Sequence, residues 1–138
     1  MKVVSQAELE QHGTSGDTWI AVHGLVYDVS KFIPEHPGGG QVVQDCGGKD
    51  ASEEFEDALH STGARMEKSI ILKGVLEGWE QKVESYRKLG WSESQGVPDP
   101  DHLKEKSSGF PVMAVGLAAG AVGAVALAFL MARSRGKQ

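Results

Sequence analysis

Cysteine is almost missing from this 138-residue chain: Cys46 stands alone. No intramolecular disulfide can form, which suits a reducing compartment. Cys46 itself reads as a small apolar filler near a helix end rather than a reactive thiol. Basic charge is scarce too. Lysine and arginine number 14 against 19 acids, a net charge of -5. Three of those bases crowd into the last six residues, RSRGKQ, so everything before them carries -8. An acidic body excludes nucleic acid as a partner, because phosphates need basic groups, and favours a partner with a basic face. The N-terminal MKVVSQAELEQHG lacks an apolar stretch long enough for a secretory signal.

One long apolar run does exist, near the other end. PVMAVGLAAGAVGAVALAFLMA, Pro111 to Ala132, holds 22 residues without a charge. As a helix it would measure about 33 Å, enough to cross a hydrocarbon core of about 30 Å. Residues 110–132 are therefore expected to be a transmembrane tail anchor in the lipid bilayer, followed by a basic tail at 133–138. Gly116, Gly120 and Gly123 fall on one helical face, a pattern that suits close helix packing. A span this near the end must insert after synthesis, leaving the N-terminal part in the cytosol. Residues 81–109 read as a short helix and a flexible linker. WEQKVESYRKLGW is helix-like, and SESQGVPDPDHLKEKSSG from residue 92 is rich in Ser, Gly, Pro and charge. His102 in that stretch is expected to be solvated.

Residues 2–80 remain as the folded domain. Ser5 with Glu8 predicts a helix that ends near His12 and Gly13. In DTWIAVHGLVYDVS, two apolar runs flank His23-Gly24, which predicts a hairpin with His23 in the turn. Ser30 is placed to cap one helical turn that stops before Pro34. QVVQDC predicts a short helix closed by Gly47 and Gly48. Asp50 with Glu53 predicts a cap opening ASEEFEDALH, a helix that delivers His60 at its end. A short helix around ARMEKS and a strand in SIILKGVLE follow. Short helices mixed with strands indicate an α+β domain.

The chemistry centres on His36, in HPGGG, and on His60. A histidine on such a loop could be a metal ligand, a catalytic base, a nucleotide contact or part of a turn. Between the two run short helices bearing Val42, Val43, Phe55, Ala58 and Leu59. Helices that face one another with apolar sides make a crevice, and two histidines across it could clamp one metal. Structural zinc normally takes four protein ligands and catalytic zinc three, and good further candidates are missing. Haem demands less, since its porphyrin supplies four nitrogens and the protein only the axial ligands. Covalent attachment of the c type is excluded, because one cysteine cannot make CxxCH. Two histidines 24 residues apart are a weak signal alone, and both can also be ordinary structural residues.

TWIAVHGLVYDVSKFIPEHPGG followed by GGKDASEEFEDALHSTGAR resembles the cytochrome b5 family over about residues 3–77. WI, VYDVS, F, HPGG, G-D-A, FED, H-S and AR occur in the family's order, with its spacing between the two histidines. The resemblance implies a cytochrome b5-like domain, a small mixed sheet with short helices forming a haem crevice. It implies that His36 and His60 are the axial metal ligands of noncovalent haem b. Phe32, Val42, Val43, Phe55 and Ala58 would line the crevice, and Ser61 would lie near a propionate. Gly38 and Gly39, after Pro37, would shape the ligand loop and leave backbone groups to hold the His36 ring. Two departures stand out. Gly40 and Gln41 replace the acids usual after HPGG, and Gly63 replaces a commonly acidic residue.

With both axial positions filled, the implied function is outer-sphere electron transfer, not enzyme catalysis. Residues 35–57 hold seven acids and one base, Lys49. They read either as a solvated face or as a docking surface for basic partners. The resemblance implies an NADH-dependent flavin reductase as donor, and desaturases or monooxygenases of the same membrane as acceptors. The expected location is the endoplasmic reticulum membrane, with the mitochondrial outer membrane as the alternative. Two rival readings are a membrane-anchored haem scaffold or haem carrier without a relay role, and an anchored metallohydrolase.

Overall fold

The computed structural model describes residues 1 to 105. The expected membrane span at 110–132 and the tail at 133–138 lie outside those residues. Among the described residues no helix is long and apolar enough to cross a membrane. The chain divides into Met1–Pro100 and Asp101–Gln138. In the second part, residues 101–105 are helical.

Five strands form one sheet in the order β1-β5-β4-β3-β2. They are β1 (Val3–Val4), β2 (Gly13–Thr14), β3 (Asp17–Val22), β4 (Leu25–Asp28) and β5 (Ile71–Leu76). β1 runs parallel to β5, and the other pairs are antiparallel. The hairpin expected at His23-Gly24 joins β3 to β4, with both turn residues at positive φ (52° and 84°). A side chain on Gly24 would strike the Trp79 ring, so glycine is required there for space as well as for conformation.

β3 shows how the domain acquires two apolar sides. Side chains alternate across a strand. Trp19 and Ala21 enter a core with Val4, Leu9, Val26 and Leu76, closed by Trp79. Ile20 and Val22 point the other way and floor the crevice described below. The core face binds α1 (Gln6–Gln11), whose N-terminus is capped by Ser5 Oγ accepting from the Glu8 amide at 3.0 Å.

Between β4 and β5 come the crevice walls: α2 (Gly40–Gln44), α3 (Ser52–Asp57) and α4 (Thr62–Arg65). Two capping expectations are corrected here. Pro34 lies inside a 3-10 turn, Ile33–Glu35, rather than beyond its end. A proline in the first turn loses nothing, because its missing N–H would have had no partner there. Ser30 does not cap that turn; its hydroxyl donates to Asp28 Oδ1 at 2.7 Å and accepts from the Thr18 amide at 2.9 Å. Asp50 does not cap α3 at Glu53 either. Its carboxylate accepts from the Ser52 amide and hydroxyl, and Ala51 is the capping position.

Beyond β5 the expected helix forms, and the stretch after it differs from the sequence reading. α5 (Glu80–Lys88) buries Val83 and Tyr86. The stretch from 92 was expected to be linker, yet the chain stays packed through Pro98. Trp91, Val97 and Pro98 are buried, and Trp91 Nε1 donates to the Gly96 carbonyl at 2.9 Å. Three apolar side chains among the serines and prolines outweigh the linker-like composition once a groove exists to receive them.

Candidate functional site

His36 follows the 3-10 turn, and Pro37 ends any helical continuation. The chain then folds back on itself. The Gly39 amide donates to the His36 carbonyl at 2.9 Å, and His36 Nδ1 donates to the Gly39 carbonyl at 2.8 Å. Gly39 has φ +104°, a conformation that favours glycine. Gly38 lies close against the imidazole. Phe32 meets the ring edge-on, centroids 5.5 Å apart.

His60 is reached by a different device. α3 ends at Asp57, and Leu59 takes φ +55°, reversing the chain so that His60 turns inward. Its Nδ1 donates to the Phe55 carbonyl at 2.8 Å. The Phe55 ring lies against the imidazole, centroids 4.2 Å apart.

Carbonyl oxygens only accept hydrogen bonds, so both rings carry their proton on Nδ1. A neutral imidazole so tied has its lone pair on Nε2, the state a metal requires. The ring centroids of His36 and His60 are 6.3 Å apart. A metal–imidazole bond of about 2.0 Å plus about 1.1 Å from nitrogen to ring centre, doubled, gives about 6.2 Å. The residues therefore fit one ion held between two imidazoles. Among the described residues no group of three or more His, Cys, Asp or Glu could hold a metal. Two facing imidazoles suit an ion whose other ligands come from a macrocycle.

The crevice around them has a volume of about 440 Å³, within the range of small-molecule sites. Of the residues singled out in the sequence, Phe32, His36, Gly38, Val43, Phe55, Ala58 and His60 line it together. Gly39 stays behind the His36 ring as its carbonyl partner. Val42 does not join the lining and is 58% exposed. Ser61 is exposed, and its hydroxyl caps α4 by accepting from the Ala64 amide at 3.1 Å. Sequence reasoning missed the crevice role of Ile20, Val22, Tyr27 and Val29 on the sheet, and of Ala64, Ile70 and Val97. Strand alternation could have found the first group. Val97 gave no such signal.

Behind the His60 wall sits a polar cluster. Arg65 Nη2 donates to Glu56 Oε1 at 2.7 Å, and His23 Nε2 lies 2.6 Å from Glu56 Oε2. Burial opposes the Glu56 charge, but the hydrogen bonds from His23 and Arg65 outweigh it and hold the carboxyl below its usual pKa. Of the seven acids in 35–57, Glu56 is thus engaged in the fold, and the other six are exposed. The Tyr27 hydroxyl is buried without a hydrogen-bond partner, and burial pushes its pKa well up.

Residues 5–88 match the family described as Cytochrome b5-like Heme/Steroid binding domain. A cytochrome b5 of Drosophila melanogaster is 40% identical over 95 residues, which are 68% of this chain and 71% of that protein. A cytochrome b5 of Gallus gallus is 46% identical over 69 residues, 50% of each chain. Among solved structures, the Ectothiorhodospira vacuolata cytochrome b558, a prokaryotic homologue of cytochrome b5, is 30% identical with a TM-score of 0.49. That match covers 55% of this chain and 99% of the other. The matched stretches thus span from half to about seven-tenths of the two cytochrome b5 relatives. By this match over more than half of its length, the chain belongs to the cytochrome b5 family of haem-binding electron carriers.

Proposed function

We propose that this protein holds haem b noncovalently between His36 and His60 and carries single electrons between membrane enzymes. The observation that supports this most is the pair of imidazoles facing across an apolar crevice, each with Nδ1 tied to a carbonyl and Nε2 left free. When bound, the haem supplies an Fe(III)/Fe(II) couple. The chain's own contribution is to orient both imidazoles through their Nδ1 hydrogen bonds and to surround the site with aliphatic side chains that exclude water. With His36 and His60 both holding the haem, no site would be left open for oxygen or peroxide, and the protein would relay electrons rather than act as an enzyme.

The proposed donor is an NADH-dependent flavin reductase, and the proposed acceptors are desaturases or monooxygenases of the same membrane. Residues 110–132 would anchor the protein in the endoplasmic reticulum membrane with the haem domain in the cytosol; the mitochondrial outer membrane is the other candidate. The exposed acids among residues 35–57, with Glu35 in the crevice lining, supply a surface for basic partners. Reduction by NADH and such a reductase, followed by stopped-flow at rising ionic strength, tests the relay. The rate is expected to fall steeply with salt. A salt-independent rate, or no reduction, would contradict it.

A further inference from the structure

Residues 91–98 pack where a linker was expected, and what they touch gives them a role. Val97 is buried, and its side chain forms part of the crevice wall together with Tyr27, Ala64 and Ile70. The segment is held by one residue in two ways. The Val97 amide donates to the Arg65 carbonyl at 2.9 Å. Arg65 Nη1 donates to the Pro98 carbonyl at 2.6 Å. Gly96 passes so close that any side chain there would collide with the Arg65 carbonyl, and its φ of +79° excludes most residues independently. Trp91 anchors the near end through the Gly96 carbonyl and an edge-on contact with Tyr86.

Arg65 also faces the site. Its side chain is only 8% exposed. Its guanidinium sits 5.0 Å from the centre of the Phe55 ring, and that ring stacks on His60. A buried arginine is stable only with its partners in place. Contacts therefore run without a break from Pro98 through Arg65 and Phe55 to His60.

We propose that residues 91–98 form a latch closing one end of the crevice, with Arg65 as its clasp and as a positioning residue for His60, so that the latch slows haem release. The proposal rests on the haem reading above. Coupling of this kind is reciprocal. Haem in the crevice steadies the latch, and an opened latch loosens the haem.

The test uses the full chain in mild detergent, loaded with haem b, with release followed by transfer to excess apomyoglobin. Gly96→Ala forces the latch off without altering a crevice side chain. Arg65→Lys keeps the charge but cannot bond Glu56 and the Pro98 carbonyl together. Each is expected to release haem about five- to tenfold faster, the size of one lost buried hydrogen bond, with the wild-type far-UV circular dichroism retained. In the wild type, hydrogen exchange of the Val97 amide is expected to slow on haem loading, a response that a purely structural clasp would not give. Release at the wild-type rate in folded Arg65→Lys, or exchange at Val97 indifferent to haem, would overturn the latch. Should Gly96→Ala fail to fold, Arg65→Lys and the exchange measurement decide. A wild-type chain that never gives a two-imidazole low-spin spectrum would overturn the haem reading instead, so the two failures are distinguishable.

Discussion

The Phe55 and His60 rings lie face to face, centroids 4.2 Å apart and planes 4° from parallel. Phe55 holds His60 a second time through its backbone, because its carbonyl accepts from His60 Nδ1. One residue thus fixes both the plane and the tautomer of the imidazole. Phe55→Leu removes the ring and keeps the carbonyl. It should leave the two-imidazole spectrum intact while weakening haem affinity about fivefold, in line with roughly 1 kcal/mol for an aromatic pair. Titration of haem into the apo-protein measures this. Loss of the spectrum would mean that the stack, rather than the hydrogen bond, sets the tautomer.

Leu59 is a leucine in the left-handed region, φ +55°, and is 86% exposed. The conformation costs about 1–2 kcal/mol, and an exposed side chain has little packing to lose. Leu59→Gly should therefore be neutral or stabilising by about 0.5 kcal/mol, where glycine ordinarily destabilises. Urea unfolding of the two proteins settles the sign.

Gly24 shows the opposite case. Here φ is +84° and the Trp79 ring fills the space where a methyl group would go. Gly24→Ala should lower stability by about 2–4 kcal/mol, combining backbone strain with overpacking. A drop below 1 kcal/mol in urea unfolding would show that Trp79 moves aside easily.

Glu56 sets an acid limit. Its carboxyl is held below the usual range, so its contribution is present above the unfolded pKa, near 4.5, and is lost as pH falls through the lower folded value. Glu56→Gln should cost about 1–2 kcal/mol at pH 7, the exposed side of the cluster being screened by water. The penalty should shrink towards zero below the folded pKa of Glu56. Unfolding measured from pH 7 down to pH 3 checks this; a pH-independent penalty would contradict it.

Much of the site was legible in the sequence, because HPGGG and the His60 helix carry strong local constraints. Pro37 and Gly39 leave His36 few conformations. Three features were not legible. The inward turn of His60 depends on left-handed Leu59, and leucine gives no warning of that conformation. Ser61, expected near a propionate, also caps the first turn of α4 through its hydroxyl. Residues 92–98 have linker composition, and only the groove beside Arg65 makes burying Val97 favourable. Local signals report turns and periodicity, whereas the burial of Val97 depends on Arg65, a partner far away in the chain.

In the function proposed above, His36 and His60 together hold one haem iron. The absorption spectrum of the haem-loaded full chain, oxidised and then dithionite-reduced, tests it most directly beside His36→Ala and His60→Ala. A six-coordinate low-spin spectrum in the wild type that either substitution abolishes is expected. A low-spin spectrum that survives loss of either histidine would contradict it.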